Sequence, residues 1–106
     1  MREFSASELR NYLDTTPDSP LLLDVRETWE FDTCHIEGST LIPMSRIAGA
    51  VETLDPQRPT VVICHHGIRS RMVARHLENA GFTDVINLAG GVDGWAKDVD
   101  PEIAVY

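Results

Sequence analysis

The chain has 106 residues, of which 42% are hydrophobic and 25% charged. That is an ordinary globular mix, which excludes a collagen-like chain, a disordered tail and a disulfide scaffold. The formal net charge of −8 argues against nonspecific binding to nucleic acid or to an anionic membrane, and no apolar run approaches the roughly 20 residues a membrane helix needs.

A chain of this length is expected to form one domain over residues 1–106. The opening Met1-Arg2-Glu3-Phe4-Ser5 has no apolar stretch of a secretory signal, so a cytoplasmic setting is the expectation. Two cysteines, Cys34 and Cys64, are too few for a disulfide framework.

Phe4 reads as a short edge strand. Ser5 followed by Glu8 is a capping box and predicts a helix from Ala6 to about Asp14. Thr15 to Pro20 is loop chemistry. Leu21 to Val25 is a short apolar run of the kind found in buried parallel strands. Glu27 to Thr33 predicts a short helix with Trp29 packing inward. Thr40 to Ile42 is a further short strand closed by Pro43, and Ser45 is expected to cap a helix reaching Leu54.

Thr60-Val61-Val62-Ile63-Cys64 is the strongest strand signal, β-branched and of a length that suits a central strand. A helix follows from Ile68 to Asn79, with Met72, Val73, Ala74, Leu77 and Ala80 as its expected apolar face. Gly81 stops it. Val85 to Leu88 is the last strand, and Gly90-Gly91 turns it into a short helix carrying Trp95, with Pro101 ending the pattern. Alternating strands and helices joined by long connections predict an α/β domain with a mostly parallel sheet and helices on both faces.

The chemistry concentrates after the central strand. In open α/β sheets, sites form beyond the carboxyl ends of the strands, where Cys64-His65-His66-Gly67-Ile68-Arg69-Ser70 leads into a helix. A helix N-terminus offers unpaired N–H groups and the positive end of a dipole. Gly67 lets the loop curl so that N–H groups converge as an anion cradle. Arg69 adds a fixed charge with a fork of donors. Such surroundings favour the thiolate, the nucleophilic form of cysteine. From Cys64 to Leu77 there are three arginines, Arg69, Arg71 and Arg75, and all 17 acidic residues lie elsewhere. A locally basic loop on an acidic protein suits a small anionic substrate.

These segments together resemble the single-domain rhodanese, or thiosulfate sulfurtransferase, family. Leu22-Leu23-Asp24-Val25-Arg26 with Trp29-Glu30-Phe31 is similar to its first motif. His35-Ile36-Glu37-Gly38-Ser39 is similar to its second, and Cys64 to Ser70 to its active loop. Gly81-Phe82 with Val85 to Trp95 is similar to its C-terminal signature. Cys34 stands where the family usually has glycine and Ser39 where it often has alanine.

The resemblance implies a five-stranded parallel sheet in the order 1-5-4-2-3. It implies a persulfide on Cys64 held by the backbone amides of residues 65 to 69, with Arg69 orienting the oxyanion part of the donor. It also implies a small anionic sulfur donor, with a thiol or a sulfur-carrier protein as acceptor. Four residues separate Cys64 from Arg69. Phosphatases similar in fold have five, a wider cradle, so the shorter ring favours sulfur transfer over a phosphatase or arsenate reductase.

His65 and His66 are expected to be exposed loop side chains whose backbone does the binding, the alternative being that one contacts the donor. Ser70 is expected to help cap the helix and to hydrogen-bond the persulfide. Asp24 and Arg26 either line the pocket or pair with each other. Trp29 and Trp95 are core or pocket wall. Adjacent Cys64, His65 and His66 lack the spacing of structural zinc sites, and Gly90 to Gly94 is not a dinucleotide fingerprint; no cofactor is expected. Cys34 is expected to be a packing residue, the alternative being a thiol that captures the Cys64 persulfide as a disulfide.

Overall fold

A computed structural model describes residues 1–103. The elements, in chain order, are β1 (Arg2–Phe4), α1 (Ala6–Thr15), β2 (Leu21–Asp24), α2 (Thr28–Thr33), β3 (Thr40–Leu41), α3 (Ile47–Ala50), β4 (Thr60–Ile63), α4 (Ile68–Asn79), β5 (Val85–Leu88) and α5 (Gly91–Asp98). The strands form one sheet in the order β1-β5-β4-β2-β3, with every pairing parallel. This is the strand order that the resemblance implies.

Period-two alternation divides the apolar strand residues between two cores. Leu22, Val61, Ile63, Ile86 and Leu88 face one layer, where they meet Leu9 of α1 and Trp95 of α5. Leu23, Val62 and Val85 face the other, where they meet Ile47, Val73 and Leu77 of α3 and α4. Cys64 continues the Val62 side and so belongs to the α4 layer. The predicted capping box at α1 is formed: Glu8 N–H donates to Ser5 Oγ at 3.2 Å, and Ser5 N–H donates to Glu8 Oε1 at 2.9 Å.

Three expectations need correction. Trp29 points outward and is 61% exposed, because the inward positions of the short α2 are taken by the buried Glu30. Met72 is 60% exposed and Ala80 is also at the surface, so the buried stripe of α4 is Val73, Ala74 and Leu77 around Ser70. Ser45 caps no long helix. It sits inside a 3₁₀ turn, Met44–Arg46, that leads to the single α-turn of α3 and a second 3₁₀ turn, Val51–Thr53. Gly49 and the β-branched Val51 are poor helix formers and break the segment into short turns.

Candidate active site

β4 ends at Ile63, so Cys64 is the first residue beyond the central strand. Gly67 caps α4 with φ +94°, a left-handed conformation that glycine alone adopts readily. A side chain there would also strike the backbone of Ala89. The curled loop brings two amides onto the sulfur. Gly67 N–H donates to Cys64 Sγ at 3.0 Å and Ser70 N–H at 3.4 Å. Both place partial positive charge against an atom that must carry negative charge as a nucleophile.

The far side of the loop is held by the turn into α5. Val92 N–H donates to the Cys64 carbonyl at 2.8 Å, and Asp93 N–H donates to the His65 carbonyl at 3.1 Å. Gly91 makes that approach possible, since a Cβ on it would collide with the Cys64 and His65 carbonyl oxygens. Close backbone contact with the cysteine loop, not a tight turn alone, is therefore what this glycine serves.

Arg69 directs its fork to a carboxylate. Its two terminal nitrogens donate to Glu30 Oε1 and Oε2, each at 2.8 Å, a bidentate pair that fixes geometry as well as charge. Arg69, expected to orient the oxyanion part of the donor, has its guanidinium tying the first turn of α4 to α2. Glu30 Oε1 also accepts from the Glu27 N–H at 3.0 Å, which locks the carboxylate in place.

Asp24 and Arg26 resolve toward pairing. Both are 0% exposed. Arg26 Nε lies 2.9 Å from Asp24 Oδ1, and its terminal nitrogen lies 2.7 Å from Oδ2. Arg26 also donates to the backbone carbonyls of Glu30 and Cys34, at 3.4 and 2.6 Å. The pair is an internal strut: it anchors the C-terminal turn of α2, and α2 presents Glu30 to Arg69.

Ser70 lies within α4, so it does not cap the helix; Gly67 holds that position. Its hydroxyl donates to Asn87 Oδ1 on β5 and lies 3.3 Å from Cys64 Sγ. Asn87 Nδ2 donates to the Gly67 carbonyl at 3.2 Å and to Glu3 at 3.1 Å. Arg71 donates to the same Glu3 oxygen at 3.0 Å; that hydrogen bond, ahead of the one from Asn87, lowers the Glu3 pKa below the ordinary carboxylate range.

His66 is exposed, but His65 is only half so. Its ring packs against that of His66 with centroids 4.0 Å apart. Burial, followed by the neighbouring His66, lowers the His65 pKa. His65, His66 and Asp93 bring three potential metal-ligand atoms within 4.8 Å of one another. The Asp93 carboxylate also lies 3.0 Å from Lys97 Nζ and 3.8 Å from His66 Nε2. Trp95 is buried in the α1 layer with Arg10 over its ring, and it also lines a cavity of about 210 Å³ with Arg10, Leu13 and Ile36, in the layer opposite the Cys64 core. Cys34 and Cys64 are both free thiols, and they pack in cores on opposite faces of the sheet.

The family description Rhodanese-like domain matches residues 5–98. The chain belongs to the rhodanese-like domain family. It is 36% identical over 81 residues to the thiosulfate sulfurtransferase GlpE of Shewanella oneidensis, covering 76% of this chain and 80% of that protein. It is 38% identical over 101 residues to the probable adenylyltransferase/sulfurtransferase MoeZ of Mycobacterium tuberculosis. That match covers 93% of this chain but spans only 26% of MoeZ, about a quarter of its length. Among solved structures, a rhodanese-like domain protein from Staphylococcus aureus superposes with a TM-score of 0.84 at 27% identity, covering 100% of this chain and 99% of the other.

Glu30 and Asn87 are the site residues that sequence reasoning missed. For Asn87 a signal existed: it is the lone polar side chain in Val85–Leu88, and a buried strand amide requires partners. For Glu30 the signal was weaker, since its partner Arg69 is 39 positions away.

Proposed function

We propose that this protein is a rhodanese-type sulfurtransferase that carries sulfane sulfur on Cys64. The observation that carries the reading is the convergence of the Gly67 and Ser70 amides on Cys64 Sγ, at the start of a helix and inside a loop braced by Arg69–Glu30. The homology to proteins named as sulfurtransferases supports it.

In the first half-reaction the Cys64 thiolate attacks the outer sulfur of thiosulfate. The S–S bond breaks, its electron pair leaves with sulfite, and a Cys64 persulfide remains. In the second, cyanide or a thiolate takes the terminal sulfur and the electron pair returns to Cys64. Dividing the transfer into two steps through an enzyme-bound intermediate is the advantage of covalent catalysis, and ping-pong kinetics follow. Amides fixed by the fold stabilise sulfur-borne charge without reorganising, and removing one such donor typically costs about 3–4 kcal/mol of barrier. The backbone amides of residues 65 to 69, together with the Ser70 N–H that already reaches Cys64 Sγ, are the group assigned to hold the terminal sulfur.

The four-residue interval between Cys64 and Arg69 supports a single sulfur over a phosphate as the bound group. Among the described residues no helix is long and apolar enough to cross a membrane. A cytoplasmic setting, with its supply of thiol acceptors, is part of this proposal. The test is steady-state turnover of thiosulfate and cyanide. Parallel double-reciprocal lines are expected for the wild type and no turnover for Cys64→Ser. Turnover by the serine variant contradicts the assignment.

A further inference from the structure

We propose that the groove between α3 and α4 is a docking site for an extended acidic segment of a partner protein that carries the acceptor thiol. The inference rests on the sulfurtransferase reading above and names the class of acceptor.

Access to the sulfur sets the first condition. Cys64 is only 1% exposed, so a cysteine on a flat folded surface cannot reach its persulfide. The acceptor thiol must sit on a narrow, protruding stretch of chain, and such a stretch needs a surface to lie on.

The groove supplies that surface. It encloses about 250 Å³ and is lined by Met44, Ile47, Ala48, Met72, Val73 and His76. Arg69, Met72, Val73 and His76 follow one another at helical three- and four-residue spacing, so they share one side of α4. The groove therefore lies along α4 one turn beyond Arg69, on the same side of the helix. Arg69 to His76 spans roughly 10 Å of helix, the reach of about three extended residues. Within the groove lining Met72 is 60% exposed, and Ile68, one turn earlier on α4, is 72% exposed. Apolar side chains gathered at a site entrance mark a binding surface, and methionines adapt to varied partners.

Charge identifies the occupant. Neither wall segment, 38–51 or 64–77, contains an aspartate or glutamate, although the whole chain carries 17 acidic residues. Arg46 beside the α3 wall and Arg75, exposed on α4 next to His76, make no ion pair among the described residues, although the Arg75 charge also acts on Glu3. An apolar groove with Met44 and Met72 in its lining, flanked by Arg46 and Arg75 on a protein of net charge −8, selects an acidic, partly apolar segment by complementarity and rejects a basic one. Once docked, the partner's thiolate attacks the terminal sulfur of the Cys64 persulfide. A new S–S bond forms on the partner, the old one breaks, and its electron pair returns to Cys64 as thiolate. The transferred sulfur keeps its proton or releases it to water, and no external oxidant or reductant is consumed.

The test loads the full chain with thiosulfate, removes excess donor and follows discharge by three acceptors. These are cyanide, a short peptide of aspartates and leucines ending in cysteine, and the same peptide with lysines for the aspartates. The acidic peptide should discharge the persulfide about tenfold faster than the basic one at low salt, with the advantage shrinking at high salt. In Arg46→Glu/Arg75→Glu the preference should reverse. In Met72→Asp the ratio of acidic-peptide to cyanide rate should fall. Equal rates for the two peptides, or a preference that survives the double charge reversal, overturns the docking site. So does a dimer in sedimentation that Met72→Asp dissociates, since a second copy would then cover the groove. If thiosulfate loads no sulfur, or cyanide cannot remove it, the sulfurtransferase reading itself fails, and the docking proposal with it.

Discussion

Removing the Asp24 carboxylate tests the strut beneath the active site. In Asp24→Ala, the Arg26 guanidinium loses bonds of 2.9, 3.1 and 2.7 Å to that carboxylate, and the Arg26 N–H loses another at 3.1 Å. Both residues are 0% exposed, so water cannot replace the lost partner. Breaking a buried pair by deleting one member costs about 3–5 kcal/mol, because an uncompensated charge stays behind. Arg26 keeps its bonds to the Glu30 and Cys34 carbonyls, which places the expected loss near the lower figure. At about 4–8 °C per kcal/mol for a domain of this size, the melting temperature should fall by about 12 °C or more. Urea unfolding followed by circular dichroism measures the same quantity at constant temperature. Asp24→Ala/Arg26→Met should be more stable than Asp24→Ala alone, since replacing both charges with apolar groups is close to neutral. A loss below about 1 kcal/mol in the single variant, the range of exposed pairs, would refute the strut. So would strict additivity of the two single changes.

Three further outcomes follow from the same geometry. Arg69→Lys keeps the charge but loses the fork, and Glu30→Gln keeps the shape but loses the charge. Each should lower kcat/KM for thiosulfate by about 10- to 100-fold through misplacement of the loop, and a loss confined to Arg69→Lys would show that Glu30 does not position it. Gly91→Ala must push the α5 turn off the Cys64 and His65 carbonyls, so sulfurtransferase activity should be nearly abolished while circular dichroism still shows a folded domain; wild-type kinetics would contradict the close approach. His65 is held below its ordinary pKa in the folded state, first by burial, so the unfolded chain takes up the proton sooner as pH falls. The stabilising contribution is complete above about pH 6.5, the ordinary histidine value, and is lost as pH drops from there through the depressed folded value. Urea midpoints measured between neutral and mildly acidic pH should decline more steeply in wild type than in His65→Gln, and parallel declines would remove His65 as the cause.

Local patterns in the sequence carried the fold a long way. The Ser5–Glu8 capping box, the β-branched run Thr60 to Ile63 and the helix Ile68–Asn79 all rest on near-neighbour chemistry, and all appear in the structure. The cysteine loop was legible for the same reason, since a strand end, a glycine and a helix start are consecutive in the chain. Errors arose where the outcome depends on distant partners. Trp29 was expected inside on hydrophobicity alone, but α2 spends its inward face on Glu30, whose partner comes from α4. Met72 continues the apolar pattern of α4 yet falls on its outer side, at the groove. Asn87 reaches Ser70, Gly67 and Glu3 only because parallel pairing sets β5 between β1 and β4. Gly91 was legible as a turn residue, while the carbonyls it approaches belong to a loop more than 20 residues earlier.

The central claim is that Cys64 bears the transferred sulfur. Intact mass spectrometry of the protein after thiosulfate, followed by peptide mapping, tests it directly. The account predicts a gain of one sulfur atom located on the peptide containing Cys64, lost on addition of cyanide and absent from Cys64→Ser. Sulfur found on Cys34, or gained equally by Cys64→Ser, would contradict it.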